Sequence, residues 1–254
     1  MSDLVHYRFS RTKTEINNIE DIYDGASYKK LMKDADHRHL SLTVNIDGVS
    51  IYKSTNYSMW PVQCIVNELP IQLRKKHLLL AGLWFGSVKP FVHTFLKPFV
   101  THFNHLSESG FAWSKGGNTI RTYVHVLVVC ADAVARCMLQ GIKQFNGEYG
   151  CSWCLNPGQV VEKGRGNVRI YDSAKYEMRT HKTFISHAQQ SIDSDSAFGV
   201  VYATPLLLLK GFNIVKGFPV DYMHCVLLGV TRSLTSFWFD SEHHDCIYYL
   251  GKHK

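Results

Sequence analysis

The chain has 254 residues, 45% of them apolar and 19% charged, which is enough to build a core and argues against wholesale disorder. Its formal charge of +7, with fourteen histidines besides, suits a polyanionic partner such as nucleic acid. Seven cysteines, an odd number without framework spacing, argue against a secreted disulfide scaffold, and no apolar run approaches the ~20 residues that span a bilayer. The expectation is a soluble, intracellular protein with no membrane partner.

Residues 1–38 carry little core signal and read as a flexible lead-in, with a short basic helix over Tyr28 to Asp36. From Leu40 to Ile46 the chain alternates, with Leu42, Val44 and Ile46 on one face and Ser41, Thr43 and Asn45 on the other, which predicts a strand. Asp47-Gly48 follows, and the alternation resumes at Val49-Ser50-Ile51. Asp-Gly between alternating runs signals a hairpin, which would make Asp47 a type I′ turn residue. Two further strands are predicted, over Trp60 to Pro70 with Pro61 at the start, and over His77 to Phe85. Between Pro90 and Leu106 the apolar residues recur at helical spacing, and Pro98 should kink or divide that helix. Its aromatic stripe fits core packing better than a nucleobase platform.

The centre of the chain is the stretch from Val124 to Cys154. The β-branched run Val126 to Val129 has the character of a strand buried on both faces, and it ends at Asp132, where helix formers from Ala133 to Gln140 take over. A carboxylate at the C-terminal end of a central strand stands where α/β proteins place their chemistry, although Asp is equally a preferred helix N-cap. Three antiparallel strands, a helix and a parallel fourth strand describe an α/β mixed sheet of the RNase H-like kind, with the first and fourth strands side by side. That order would bring Asp47 and Asp132 to one rim. The segment closes on Cys151 and Cys154, a CxxC pair with Gly150 before it and Pro157-Gly158 after it, the tight turn that a zinc site favours. A CxxC is half a coordination shell, which draws attention to His224 at the head of the apolar helix begun by Asp221. Between them, Gln159 to Ser196 reads as a partly helical insertion with loops, and Val200 to Leu209 as a helix or a strand. The expected organisation is a lead-in (1–38), a first part of the core (39–150), a knuckle and insertion (151–220) and a C-terminal helical segment (221–254).

Several stretches together resemble the transposases of the CACTA (En/Spm) class in the form found in animal genomes. They are IDGVSIYKS at 46–54, WPVQCIVNELP at 60–70, LLLAGLWFGSVKP at 79–90, FNHLSESG at 103–110, VVCADAVARC at 128–137, QFNGEYGCSWC at 144–154 and DYMHCVLLGVTR at 221–232. The resemblance implies a DDE catalytic core in which carboxylates hold a pair of Mg²⁺ ions for metal-dependent cleavage and strand transfer of DNA. Asp47 and Asp132 match the first and second acids. Cys151, Cys154 and His224 match elements thought to hold a structural Zn²⁺, with Cys225, His181 and His187 as candidates for the fourth ligand. The implied partner is DNA, the implied location the nucleus, and a homo-oligomer is compatible with both. The third acid, a Glu on a downstream helix, has no convincing counterpart; Glu242 is the one late candidate. The chain therefore reads as an incomplete, decayed or repurposed transposase. Two other readings stay open: a non-catalytic, zinc-braced module that binds nucleic acid or protein, and an unrelated fold whose CxxC is a redox pair.

Overall fold

In the computed structural model, which describes residues 7–33, 35, 38–51 and 56–251, the first alternating run is strand β1 (His39–Ile46). Leu42, Val44 and Ile46 are buried in the main core, as the alternation requires. Strand β3 (Ser58–Val66) pairs antiparallel with β1, from Leu42 opposite Val66 to Ile46 opposite Val62. The short strand β2 (Val49–Ser50) pairs with β3 in the same register, Val49 opposite Met59 and Ser50 opposite Ser58.

That continuity corrects the hairpin reading of Asp47-Gly48. The two residues interrupt one long strand, and the chain reverses later, between Ile51 and Tyr57, where the Ile51 N–H donates to the Tyr57 carbonyl at 3.3 Å. Residues 52–55 of that reversal lie outside the described residues. The cause of the interruption is on the opposite strand. Asn67 donates to the Ser41 carbonyl at 3.0 Å, and with the Ile51–Tyr57 rung this sets the phase of the ladder. In that phase Asp47 faces Pro61 at a hydrogen-bonding position. Pro61 has no N–H to give, so the ladder misses a rung beside Asp47. Pro61 thus sits inside a strand, not at its start. Gly48 is needed because a Cβ there would come within 2.6 Å of the Trp60 indole.

Strand β4 (Leu79–Gly86) pairs antiparallel with β3. Strand β5 (Phe111–Lys115) and the start of β6 (Asn118–Cys130) form a hairpin across Gly116-Gly117, both at positive φ (+57° and +80°) as a type I′ turn demands. The remainder of β6 runs parallel to β1, from His39 opposite Tyr123 to Asn45 opposite Cys130. The result is a six-stranded mixed sheet in an α/β fold, with the order β2-β3-β1-β6-β5 and β4 along β3.

Helix α1 (Val92–Glu108) covers one face of the sheet with Leu96, Phe99, Val100 and Phe103. Pro98 does not divide it. Thr94 and Pro98 are both exposed, so the carbonyl that the proline ring cannot bond faces water. Helix α2 (Ala133–Gln140) follows β6 and ends at Gly141, whose φ of +74° forms a left-handed cap. Val200 to Leu209 is mostly irregular, with one 3₁₀ turn at Pro205–Leu208 capped by Thr204.

The opposite face is covered by residues that carry no apolar periodicity. Tyr23 and Tyr28 are buried against Leu127. Arg74 reaches Asp21 with two hydrogen bonds, at 2.7 and 2.9 Å, and lies over the Tyr23 ring. Beneath them Glu68 is wholly buried, accepting from the Ser41 N–H (2.8 Å), the Ser41 hydroxyl (2.9 Å) and the Tyr28 hydroxyl (3.0 Å). The N-terminal stretch is thus tied to the sheet by polar groups, which hydrophobic patterning does not register.

The chain divides into two units, residues 1–219 and 220–254. In the second, a π-helical stretch Tyr222–Thr231 runs into a short α-helix, Arg232–Phe239, and neither has a buried residue. Among the described residues no helix is long and apolar enough to cross a membrane.

Candidate functional site

The parallel pairing of β1 and β6 positions the two candidate acids. Asn45 and Cys130 are register partners at the ends of neighbouring strands, a spacing of ~4.8 Å. The Asn45 side chain also donates to the Cys130 carbonyl at 3.3 Å, tying the two strand ends together. Asp47 lies two residues beyond Asn45, and Asp132 two residues beyond Cys130. Both are half-buried at the same end of the sheet.

Each carboxylate also has local work. Asp132 is the N-cap of α2, with Oδ1 accepting from the Ala135 N–H at 2.6 Å. The capping expectation therefore holds. It uses one oxygen; Oδ2 has no hydrogen bond among the described residues. Asp47 Oδ1 accepts from the Gly48 N–H at 2.7 Å. Oxygen donors of this kind suit a hard cation such as Mg²⁺. Glu68, the buried glutamate, does not join them. It neighbours Ser41 at the start of β1, about 20 Å of strand from Asp47.

The CxxC pair forms a turn anchored on two arginines. Above it, Arg136 of α2 lays its guanidinium 4.6 Å from the centre of the Trp153 ring and donates to the Ser152 hydroxyl at 3.2 Å. The helix that Asp132 caps therefore also holds the cysteine turn. Within the turn the Trp153 N–H donates to Cys151 Sγ at 3.4 Å. From below, Arg179 is 4% exposed and donates to three carbonyls: Cys151 (2.9 Å), Tyr149 (2.8 Å) and Phe198 (2.7 Å). Burial pulls the Arg179 pKa down, and the neighbouring cysteines oppose the shift. Burial also pushes the Cys154 thiol up.

Tyr149 and Phe198 both have positive φ, +55° and +47°, which side-chain-bearing residues rarely adopt. A single Arg179 nitrogen holds both their carbonyls. Strain of this sort persists where its surroundings over-determine it, and it concentrates at sites that need a fixed backbone. Sequence reasoning passed over Arg179, since nothing local marks one arginine of a polar insertion as buried.

His181 Nδ1 accepts from the Ile214 N–H at 3.2 Å. His187 is buried and stacked on Phe198. His224 and Cys225 belong to the second unit, where Asp221 accepts from the His224 N–H (3.1 Å) and its Oδ2 stands 2.8 Å from the His224 ring. Among the described residues no three His, Cys, Asp or Glu side chains stand close enough to hold a metal ion.

Residues 12–198 match the model of the family described as "Protein of unknown function (DUF1258)". The chain belongs to the DUF1258 family. No curated protein matches it. The DUF1258 segment takes in the whole sheet, both acids, the CxxC turn and Arg179, and it ends before His224.

Proposed function

We propose that this DUF1258 chain is a transposase-like protein of the DDE class, built on an RNase H-like core and acting on DNA in the nucleus. The observation that carries the reading is the parallel pairing of β1 with β6, with one acid two residues beyond each end of the Asn45–Cys130 rung. The succession of antiparallel strands, a helix and a parallel strand beside the first supports it further. In this reading Asp47 and Asp132 are the residues that would hold Mg²⁺, and the chemistry the ion would supply is Lewis-acid stabilisation of the attacking and leaving oxygens.

Two carboxylates attract a cation without fixing a pair of ions in line. Glu68 lies at the wrong end of the sheet, and Glu242 is exposed in the second unit. The expected behaviour of residues 1–254 is therefore DNA binding without cleavage. A nicking assay on supercoiled DNA with Mg²⁺ or Mn²⁺ tests this, with Asp132→Ala as control. Metal-dependent cutting that the substitution abolishes would reveal a third acid. Failure to bind DNA even at low salt would sink the function itself.

A second reading keeps the DNA and drops the chemistry, making the chain a zinc-braced binding module. The arginine-anchored CxxC turn favours it. Cys151 and Cys154 supply half of a tetrahedral shell, and His224 joins them on the resemblance alone. Elemental analysis of the purified chain decides: bound zinc with protected thiols supports the brace, and no zinc with freely titrating thiols removes it.

A further inference from the structure

Strands β7 (Gln159–Lys163) and β8 (Gly166–Ile170) form a two-stranded ribbon apart from the main sheet, in register from Gln159 opposite Ile170 to Lys163 opposite Gly166. Neither strand packs extensively against another helix or strand, and every ribbon residue except Val161 and Arg169 is exposed. A bare hairpin is marginal in water, so this one depends on its anchored base. There, Arg169 donates to the carbonyls of Pro157 (2.8 Å) and Gly158 (3.2 Å). Tyr171 donates to the Gly147 carbonyl and accepts from the Gly150 N–H at 3.1 Å, one residue before Cys151. The ribbon thus springs from the CxxC turn, and Arg136 ties that turn to the helix capped by Asp132.

The tip is a two-residue turn. Gly164 has φ of +61° while Arg165 keeps an ordinary negative φ, the pattern of a type II′ hairpin turn. A Cβ added at Gly164 or Gly166 would meet nothing within 4 Å, so the tip stands in solvent. Its two cations are Lys163 and Arg165, and the ribbon's one acid, Glu162, sits below them. Five residues at ~3.3 Å each give the arm a reach of roughly 16 Å.

We propose that this ribbon is a nucleic-acid arm that enters the major groove of duplex DNA and sets Lys163 and Arg165 on its phosphates. The proposal rests on the DNA reading above and assigns that reading an element. A two-stranded ribbon fits a major groove about 12 Å wide and about 8.5 Å deep, which the arm's reach exceeds. The narrow major groove of duplex RNA does not admit it.

The test is fluorescence anisotropy on a duplex DNA of about twenty base pairs, with salt varied across roughly 50 to 200 mM. The double variant Lys163→Ala/Arg165→Ala is compared with Lys75→Ala/Lys76→Ala, which loses the same charge beyond the far end of β3. Each lost phosphate contact lowers the slope of log affinity against log salt by ~0.9, so the ribbon variant should lose about 2 and the control much less. Both pairs are exposed, and circular dichroism verifies that the folds are kept. Equal losses in the two variants, or an unchanged slope in the ribbon variant, overturn the arm; an unchanged slope is also what cations serving an acidic protein would give. A wild-type chain that does not bind DNA removes the DNA reading itself.

Discussion

Replacing Arg179 by methionine tests whether the cysteine turn is held from below. Methionine keeps most of the volume and removes every donor. Three carbonyls, those of Cys151, Tyr149 and Phe198, then lose a partner bound at 2.7–2.9 Å. The three acceptors are only partly buried, so water replaces part of what each loses and the cost lies near the low end of the about 1–3 kcal/mol of an unpaired acceptor, with release of a buried guanidinium offsetting part of the sum. The net expectation is a loss of about 2–3 kcal/mol. For a unit of this size that is a fall in Tm of roughly 5–10 °C. Thermal unfolding by circular dichroism measures it, and a thiol-reactive reagent reads the local effect, because Cys151 and Cys154 should react faster as the turn loosens. Arg179→Lys separates charge from geometry: one ammonium cannot span three carbonyls, so lysine should recover only a minor part of the loss. A methionine variant that loses less than about 1 kcal/mol, with thiol rates unchanged, would refute the bracing role.

Asp132→Asn should keep the helix cap, while Asp132→Ala should lose about 1 kcal/mol of stability; both should weaken Mn²⁺ binding, and equal Mn²⁺ titrations for wild type and Asn would reduce Asp132 to a cap. Burial raises the Glu68 carboxyl above its usual value of 4.5, so the folded chain holds that proton to higher pH than the unfolded chain does. Stability from this group is complete below about pH 4.5 and falls as pH rises through the folded value. Urea unfolding from pH 4 to 8 should show that fall in wild type and a smaller one in Glu68→Gln; parallel profiles would count against it. Gly48→Val should cost about 1–3 kcal/mol by driving a side chain into the Trp60 indole, visible as altered tryptophan fluorescence, whereas a silent substitution would mean that the ring moves aside freely.

Much of the frame was legible in the chain because strand and helix periods are local. Leu42, Val44 and Ile46 alternate whatever lies around them, and the order of elements led to β1 and β6 as parallel neighbours with Asp47 and Asp132 beyond their ends. The Gly116-Gly117 turn was legible too, between Phe111 to Lys115 and the long strand that follows, and it went unread. What the sequence by itself determined is therefore the sheet and the end of it that carries the acids. Tertiary structure alone decided the rest, because the deciding neighbour was distant in each case. Asp47-Gly48 has the chemistry of a turn, yet it lies within a strand because β3 pairs with the chain on both sides of it and puts Pro61 and Trp60 opposite. Glu68 and Arg179 look like surface charges until the fold surrounds them with Ser41 and Tyr28, and with the carbonyls of Cys151, Tyr149 and Phe198. Burial and hydrogen-bond partnership belong to the assembled chain, and no window of local sequence contains them.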